Sequence, residues 1–96
     1  MQNEFFEWDD AKADLNLRKH GVSFEEACTV LFDDFSIAEE DDRENYGEQR
    51  MLSLGMSCYG RLLVVVWTQR NGKVRLISAL KADRQQRKYY EQQKRH

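Results

Sequence analysis

The sequence predicts a single α+β domain, with two N-terminal helices, an antiparallel β-sheet arranged as a meander, and a C-terminal helix. Helix-capping residues and apolar spacings of three and four residues occur between residues 9 and 31, as in amphipathic helices. The run Leu62–Trp67 is almost wholly apolar, which is typical of a buried central strand. A chain of 96 residues can close one hydrophobic core and has little left for a second. We therefore expect residues 1–96 to form one domain.

The first helix is predicted over residues 10–20, after a short strand at Glu4–Trp8. Asp9 stands where a side-chain oxygen can cap the first turn, and Gly21 supplies the left-handed position that ends many helices. One-face spacing predicts that the buried side of this helix contains Trp8, Ala11 and Leu15.

A second helix follows at once. Ser23 and Glu26 have the spacing of a capping box, in which each side chain bonds the other residue's backbone N–H. The apolar positions follow the i, i+3, i+4, i+7 pattern of one helix face, and they are Phe24, Ala27, Cys28 and Leu31.

The sheet is predicted from four apolar segments and the turns between them. The acidic segment Glu39–Asn45 is expected to be a loop, and Tyr59-Gly60 is expected to form a turn similar to that at Asn71-Gly72. Asn-Gly between two apolar runs predicts a two-residue type I′ hairpin, since both central residues then need positive φ. The predicted strands are 35–38, 50–57, 62–67 and 74–78, of which the last three are expected to form the antiparallel meander.

The C-terminal helix is predicted over residues 84–95, where Asp83 and Gln86 form a second capping box. Its only large apolar groups are Tyr89 and Tyr90. A helix this polar is not stable alone, so it either docks through the tyrosines or projects towards a partner.

Charge is distributed unevenly along the chain. Residues 1–48 hold fifteen acidic and four basic side chains, whereas residues 49–96 hold eleven basic and two acidic ones. This asymmetry predicts that the second half binds a polyanion or an acidic partner. The alternative is that the two halves neutralise each other within one fold.

Several classes of protein are not supported by the sequence. There is no signal-peptide pattern and no apolar run long enough to cross a bilayer, so we expect a cytoplasmic protein without a membrane partner. Cys28 and Cys58 are expected to be free thiols. The acidic run Glu39–Asp42 lacks a metal-ligand pattern, and nucleotide-binding motifs are missing, so no metal or cofactor is predicted.

The residues needed for metal-independent RNA cleavage are nevertheless present. That reaction needs a base for the 2′-hydroxyl, cations for the charged phosphorane and an acid for the leaving oxygen. His20 is the best candidate for proton transfer, and its alternative role is to stabilise the end of a helix. Lys19 beside it either binds phosphate or terminates the same helix.

Further candidates lie in the basic half of the chain. Trp67 is either a stacking platform for a base or a core residue, and the Tyr90 hydroxyl is either an acid or part of a helix anchor. Guanidinium groups bind phosphate bidentately, and as a set the arginines suggest a polyanion, although each alone is more typical of a solvated surface. These arginines are Arg61, Arg70, Arg75, Arg84 and Arg87.

Six parts of the chain, spread over residues 5–91, form a pattern. They are Phe6-Glu-Trp-Asp9, Lys12 with Asn16, Lys19-His-Gly-Val-Ser-Phe-Glu-Glu-Ala27, Gly60-Arg-Leu-Leu-Val-Val-Val66, Arg75 to Ala79, and Tyr90-Glu91. Together they resemble the BrnT family of toxins from bacterial type II toxin–antitoxin systems, and the long ungapped block from Lys19 to Ala27 makes the resemblance specific.

The resemblance implies a ribonuclease toxin with a RelE/ParE-like fold. It also implies a BrnA-like antitoxin with a ribbon-helix-helix domain, operator DNA bound through that antitoxin, and a possible dimer within the complex. We expect Lys19, His20, Arg75, Arg84 and Tyr90 to be catalytic. We expect Arg61, Trp67, Arg70 and Arg87 to bind RNA.

The chain departs from the family pattern at two positions. The family often has Ser-Ala-Arg and then a Glu in the last helix, whereas this chain has Leu80 and Gln86. Two hypotheses follow from these departures. The first is an active endoribonuclease toxin, and the second is a catalytically weak or inactive homologue that serves as an antitoxin-binding co-repressor.

Overall fold

A computed structural model describes residues 3–95. Three helices and a five-stranded mixed sheet confirm the predicted α+β class. None of the helices in this part of the chain is long and apolar enough to cross a membrane. In chain order, the elements are β1 (Phe6–Glu7), α1 (Asp10–His20), α2 (Phe24–Val30), β2 (Ile37–Asp41), β3 (Arg50–Met56), β4 (Leu62–Arg70), β5 (Lys73–Lys81) and α3 (Arg84–Lys94).

The strand order across the sheet is β1-β5-β4-β3-β2. The strands β3, β4 and β5 form the predicted antiparallel meander, and β2 extends it by pairing antiparallel with β3. The short strand β1 adds to the far edge, where it runs parallel to β5 and makes the sheet mixed. The chain can reach this parallel edge because α1, α2 and the whole meander lie between β1 and β5 in the sequence.

Helix α1 has the predicted bounds, but of the three residues predicted for its buried side only Trp8 is buried. Asp9 accepts hydrogen bonds from the backbone N–H groups of the first turn, and Gly21 ends the helix with φ of 68°. Ala11 and Leu15, however, are exposed, and the buried residue of α1 is Asn16. Apolar spacing does not reveal this position, because the residue that faces inward is polar. Its side chain bonds the backbone beneath it.

Helix α2 begins at Ser23 with only half of the predicted capping box. The Ser23 hydroxyl accepts a hydrogen bond of 3.0 Å from the Glu26 backbone N–H. The Glu26 carboxylate does not return to Ser23 and instead accepts hydrogen bonds from Arg61 and Ser57. A charged partner distant in the sequence outcompetes the local backbone donor because a charge-assisted bond is stronger.

The prediction of an acidic loop from residue 39 is wrong at its start, since Glu39–Asp41 belong to β2. This strand pairs with β3 along its whole length, from Ile37 opposite Leu54 to Asp41 opposite Arg50. β2 is an edge strand, and charged residues on an edge discourage pairing with other chains. Pairing with β3 therefore overrides the low strand propensity of the acidic residues.

The two predicted turns differ in type. Asn71 and Gly72 have φ of 54° and 75°, and they join Arg70 to Lys73 as the predicted type I′ hairpin. Tyr59-Gly60 instead belongs to a three-residue loop closed by a hydrogen bond of 2.8 Å from the Ser57 N–H to the Arg61 carbonyl. Only Gly60 has positive φ there, as in hairpins that combine a type I turn with a left-handed residue.

Both faces of the sheet carry apolar clusters. On one face, α1 and α2 cover a core that includes Phe24, Leu63 and Val65. On the other face, Tyr90 of α3 packs with Leu62 and Val64. The strand β4 contributes to both clusters by alternation, so its almost continuous apolar sequence agrees with burial on two sides.

Beyond α3, the second face of the sheet continues as two cross-strand rows. Strand register places Ser78, Val66, Leu52 and Glu39 in one row. The next row crosses all five strands and is mostly charged, and its members are Glu7, Arg75, Thr68, Arg50 and Asp41. A partly open sheet face thus lies between α3 and a charged border.

Candidate functional site

A cleft of ≈ 350 Å³ opens on this sheet face. Side chains of β3, β4 and β5 form its floor, and its walls come from the end of α1, from α3 and from the loop between β2 and β3. The lining residues are His20, Arg43, Leu52, Val64, Val66, Ser78, Leu80, Lys81 and Gln86.

A second, smaller cleft of ≈ 180 Å³ lies between α1 and β5. It shares His20 and Ser78 with the first cleft and adds Lys12 and Lys19 of α1. His20 therefore stands where the two clefts meet, with Lys19 on one side and Arg43 on the other. The predicted pair Lys19 and His20 belongs to this concave surface.

Asn16 fixes α1 on β5 beside the clefts. Its amide nitrogen donates hydrogen bonds of 2.9 Å to the carbonyls of Val22 and Ala79. Its amide oxygen accepts one of 3.0 Å from the Ala79 N–H. These three bonds satisfy a buried amide and hold the last turn of α1, with His20, against the segment of β5 that contains Ser78.

A second network supports the chain just after His20. Arg61 donates to the Glu26 carboxylate through two nitrogens and to the Gly21 carbonyl at 3.0 Å. The Ser57 hydroxyl donates to the same carboxylate at 2.7 Å. The bonds from Arg61 lower the pKa of the buried Glu26 carboxyl. The guanidinium of Arg61, which was predicted to bind RNA, is thus already bonded to Glu26 and Gly21. An RNA phosphate would have to compete with Glu26 for it.

Arg43 and Lys81 are cleft cations that the sequence analysis did not predict as site residues. The Asp41 carboxylate accepts hydrogen bonds from Arg43 Nε at 2.7 Å and from Nη2 at 2.9 Å. These bonds hold the pKa of Asp41 down at about 2. The available signal in the sequence was that Arg43 is the lone basic residue within a long acidic stretch.

Both departures from the family pattern line the larger cleft. Leu80 of β5 lies opposite Val64, and Gln86 of α3 faces the same space. The Gln86 side-chain oxygen accepts a hydrogen bond of 2.8 Å from the Asp83 N–H, which completes the predicted capping box. The two positions are six residues apart, on β5 and α3, and both line the cleft with His20.

Two further predicted arginines pair with carboxylates from the acidic half. Arg70 lies 3.0 Å from Glu48, and Arg75 lies 3.7 Å from Glu7. Arg75 shares the sheet face of the cleft but stands in the charged row beyond Ser78. Mutual neutralisation of the two halves, the alternative stated above, therefore accounts for these residues together with Arg61.

Arg84 and Arg87 are exposed on α3 and make no ion pair with any residue in the range 3–95. They do not line either cleft described above. Their guanidinium groups remain accessible to an anionic partner on the outer side of the helix.

Trp67 and Tyr90 have structural contacts. Trp67 is half-buried, packs against the core under α1 and α2, and donates a hydrogen bond of 2.9 Å to the Ser53 hydroxyl. Tyr90 is only 2% exposed and donates a hydrogen bond of 2.6 Å to the Asp33 carboxylate. Burial and this bond raise the pKa of Tyr90 to about 12. Neither residue lines the two clefts.

The cleft combines one imidazole with several cations. Lys81 lies beside Gly21, with its Nζ 3.9 Å from the position that a Cβ atom would occupy on this glycine. A proton-transfer group flanked by ammonium and guanidinium groups suits a phosphodiester substrate. Within residues 3–95, no group of three or more His, Cys, Asp or Glu side chains has the arrangement of a metal site.

Comparisons with known proteins identify the fold and the family of this chain. A search of curated protein sequences found no significant match. The crystal structure of the Brucella abortus ribonuclease toxin BrnT superimposes with a TM-score of 0.61 and 19% sequence identity, covering 83% of this chain and 99% of that one. The family described as "Ribonuclease toxin, BrnT, of type II toxin-antitoxin system" matches residues 8–86. That match spans most of the chain, which therefore belongs to the BrnT family of ribonuclease toxins from type II toxin–antitoxin systems.

Proposed function

We propose that this chain is an endoribonuclease that cleaves cellular RNA without a metal ion, and that the cleft around His20 is its active site. The observation that carries the proposal is the position of His20 at the junction of two clefts lined by Lys19, Lys81 and Arg43. The family membership supports the reaction class.

The proposed reaction is attack of a ribose 2′-oxygen on the adjacent phosphorus. The 2′-oxygen loses its proton, the phosphorus–5′-oxygen bond breaks, and the 5′-oxygen gains a proton, which leaves a 2′,3′-cyclic phosphate. His20 is proposed to transfer one of these protons. The lysines and Arg43 are proposed to stabilise the extra negative charge on the phosphorane.

We further propose a BrnA-like ribbon-helix-helix antitoxin as the neutralising partner. In this proposal the complex contains a dimer, binds operator DNA through the antitoxin and represses its own operon in the cytoplasm. Membership of a type II toxin–antitoxin family supports an antitoxin partner of some kind.

The test of the central proposal is RNA cleavage by purified protein in EDTA. We expect cleavage products ending in 2′,3′-cyclic phosphate and growth arrest when the chain is expressed without antitoxin. Activity lost on chelation and restored by Mg²⁺ would overturn the metal-free mechanism, and intact RNA with normal growth would overturn the ribonuclease proposal.

A second candidate is an inactive homologue that acts as an antitoxin-binding co-repressor. It is favoured by the position of Leu80 and Gln86 in the cleft, where the family often has a cation and a carboxylate. Under this candidate the wild-type chain leaves RNA intact. Leu80→Arg with Gln86→Glu should then restore cleavage, and robust cleavage by the wild type would exclude the candidate.

A further inference from the structure

We infer that Asp41 is a positioning residue, which holds the Arg43 guanidinium ready to receive an RNA phosphate at the His20 cleft. The inference rests on the proposed function of that cleft. It concerns a carboxylate that touches no substrate itself and acts through its neighbour.

The contrast in exposure between the two side chains is the first argument. The Asp41 side chain is fully covered, whereas the Arg43 side chain is 65% exposed and lines the cleft with His20 and Ser78. An ion pair whose cation is largely exposed is screened by water and contributes little to stability, so the fold alone does not account for this arrangement. Here the Asp41 carboxylate is buried, and the Arg43 guanidinium faces the cleft.

The Asp41 carboxylate accepts hydrogen bonds from several neighbouring donors. Besides the two guanidinium bonds, Asp41 accepts a hydrogen bond of 3.3 Å from the Arg43 backbone N–H and another of 3.3 Å from the Tyr46 hydroxyl. Arg50 in turn lies over the Tyr46 ring at 4.0 Å. The first residues of the loop are therefore built around Asp41, and the orientation of the guanidinium is fixed in advance.

The third argument is which guanidinium atoms remain available. Asp41 engages Nε and Nη2, the Tyr46 hydroxyl lies close to the same guanidinium, and Nη1 makes no hydrogen bond to the Asp41 carboxylate. The free edge keeps its N–H donors for a phosphate oxygen. An arginine that is already oriented loses less side-chain entropy on binding, so its contact is more favourable.

The sign of the effect on RNA binding separates this role from a simple ion pair. Asp41→Asn removes a negative charge, which by itself strengthens binding to a polyanion. If Asp41 orients Arg43, the same substitution weakens binding, because the guanidinium becomes mobile. Asp42→Asn is the matched control, because this substitution removes the same charge. The Asp42 side chain is exposed and makes no hydrogen bond within the described range.

The experiment measures binding of a fluorescent single-stranded 2′-O-methyl RNA, which lacks the attacking hydroxyl. We expect Asp41→Asn to weaken binding about three- to tenfold, and Arg43→Ala about tenfold or more, given that tenfold corresponds to ~1.4 kcal/mol. Asp42→Asn should bind as well as the wild type or better. In the Arg43→Ala background, Asp41→Asn should change affinity by less than about twofold, since the two residues act as one unit.

An NMR measurement checks the orientation independently of RNA. The Arg43 Nε–H signal should be protected from exchange in the wild type and in Asp42→Asn, and it should lose that protection in Asp41→Asn while the backbone spectrum stays folded. Equal or tighter RNA binding by Asp41→Asn, or additive losses in the double variant, would overturn the inference. A chain that binds the oligonucleotide as expected but cleaves no RNA would overturn only the proposed activity.

Discussion

His20 combines a helix-end position with a place in the candidate active site. It is the last residue of α1, where a cation is favoured by the helix dipole, and it also borders both clefts. A purely structural role predicts a change in stability, whereas a catalytic role predicts a change in rate. The two roles are therefore separable by substitution.

We expect His20→Ala to lower the RNA cleavage rate about a hundredfold or more, because general acid–base groups contribute that much. The stability loss should stay within about 1 kcal/mol, the worth of a favourable helix-end charge. Single-turnover cleavage and thermal unfolding measure the two effects, and His20→Gln controls for side-chain volume. An unchanged cleavage rate in folded protein would leave His20 as a helix-terminating residue.

Acid stability reports on Asp41. Its pKa in the folded chain is lowered from 3.8 to about 2, chiefly by hydrogen bonds from Arg43. A lowered pKa stabilises the folded state above the unfolded pKa, and that contribution disappears as the pH falls through the folded value. We expect the stability difference between wild type and Asp41→Asn to be full at neutral pH and to vanish between about pH 4 and pH 2. Urea unfolding at several pH values tests this, and a constant difference would contradict it.

At the scale of elements, α3 is held by one buried tyrosine. The Tyr90 hydroxyl donates to Asp33, and the same carboxylate oxygen accepts the Met56 N–H at 2.8 Å. The helix is otherwise polar, and its N-terminus is secured by the Asp83–Gln86 capping box. Because Gln86 lines the cleft, docking of α3 also shapes the candidate active site.

We expect Tyr90→Phe to reduce the free energy of unfolding by about 1–2 kcal/mol, because the Asp33 carboxylate loses a hydrogen bond in a partly buried site. Tyr89→Phe is the control, since Tyr89 is 46% exposed, and its effect should stay within about 0.5 kcal/mol. Equilibrium unfolding in urea, followed by tryptophan fluorescence, compares the two variants. Equal stabilities would show that the Tyr90 hydroxyl does not anchor α3.

At the scale of the whole molecule, the opposite charges of the two halves serve two purposes. Arg61, Arg70 and Arg75 pair with Glu26, Glu48 and Glu7, so part of the asymmetry is internal neutralisation. A second group of cations consists of Lys19, Lys81, Arg84 and Arg87, which make no ion pair within residues 3–95, and of Arg43, which pairs with Asp41 but keeps 65% of its side chain exposed at the cleft. Only this second group is expected to attract RNA.

We expect Arg84→Gln with Arg87→Gln to flatten the salt dependence of RNA binding by about 1.4 in the slope of log K against log salt, if both contact phosphates. Arg70→Gln with Glu48→Gln keeps the net charge and removes an internal pair, so it should leave the slope unchanged. Fluorescence anisotropy at several salt concentrations measures both. Identical slopes for all three proteins would assign the charge of α3 to solubility alone.

The sequence by itself determined the local features of this protein. The caps at Asp9 and Asp83, the hairpin at Asn71-Gly72 and the buried strand β4 were predictable because each depends on residues only a few positions apart. The resemblance carried by the block from Lys19 to Ala27 was likewise visible in the sequence, and the family match agrees with it.

Only the tertiary structure decided which charged side chains are available to a substrate. Arg61 and Glu26 are 35 positions apart, and Arg70 and Glu48 are 22 apart, so no local pattern reveals that they pair. The same holds for Arg43, which reaches the cleft because β2 pairs with β3 and Asp41 fixes its guanidinium. Ion pairs and clefts depend on distances in space, which chain folding sets and sequence spacing does not.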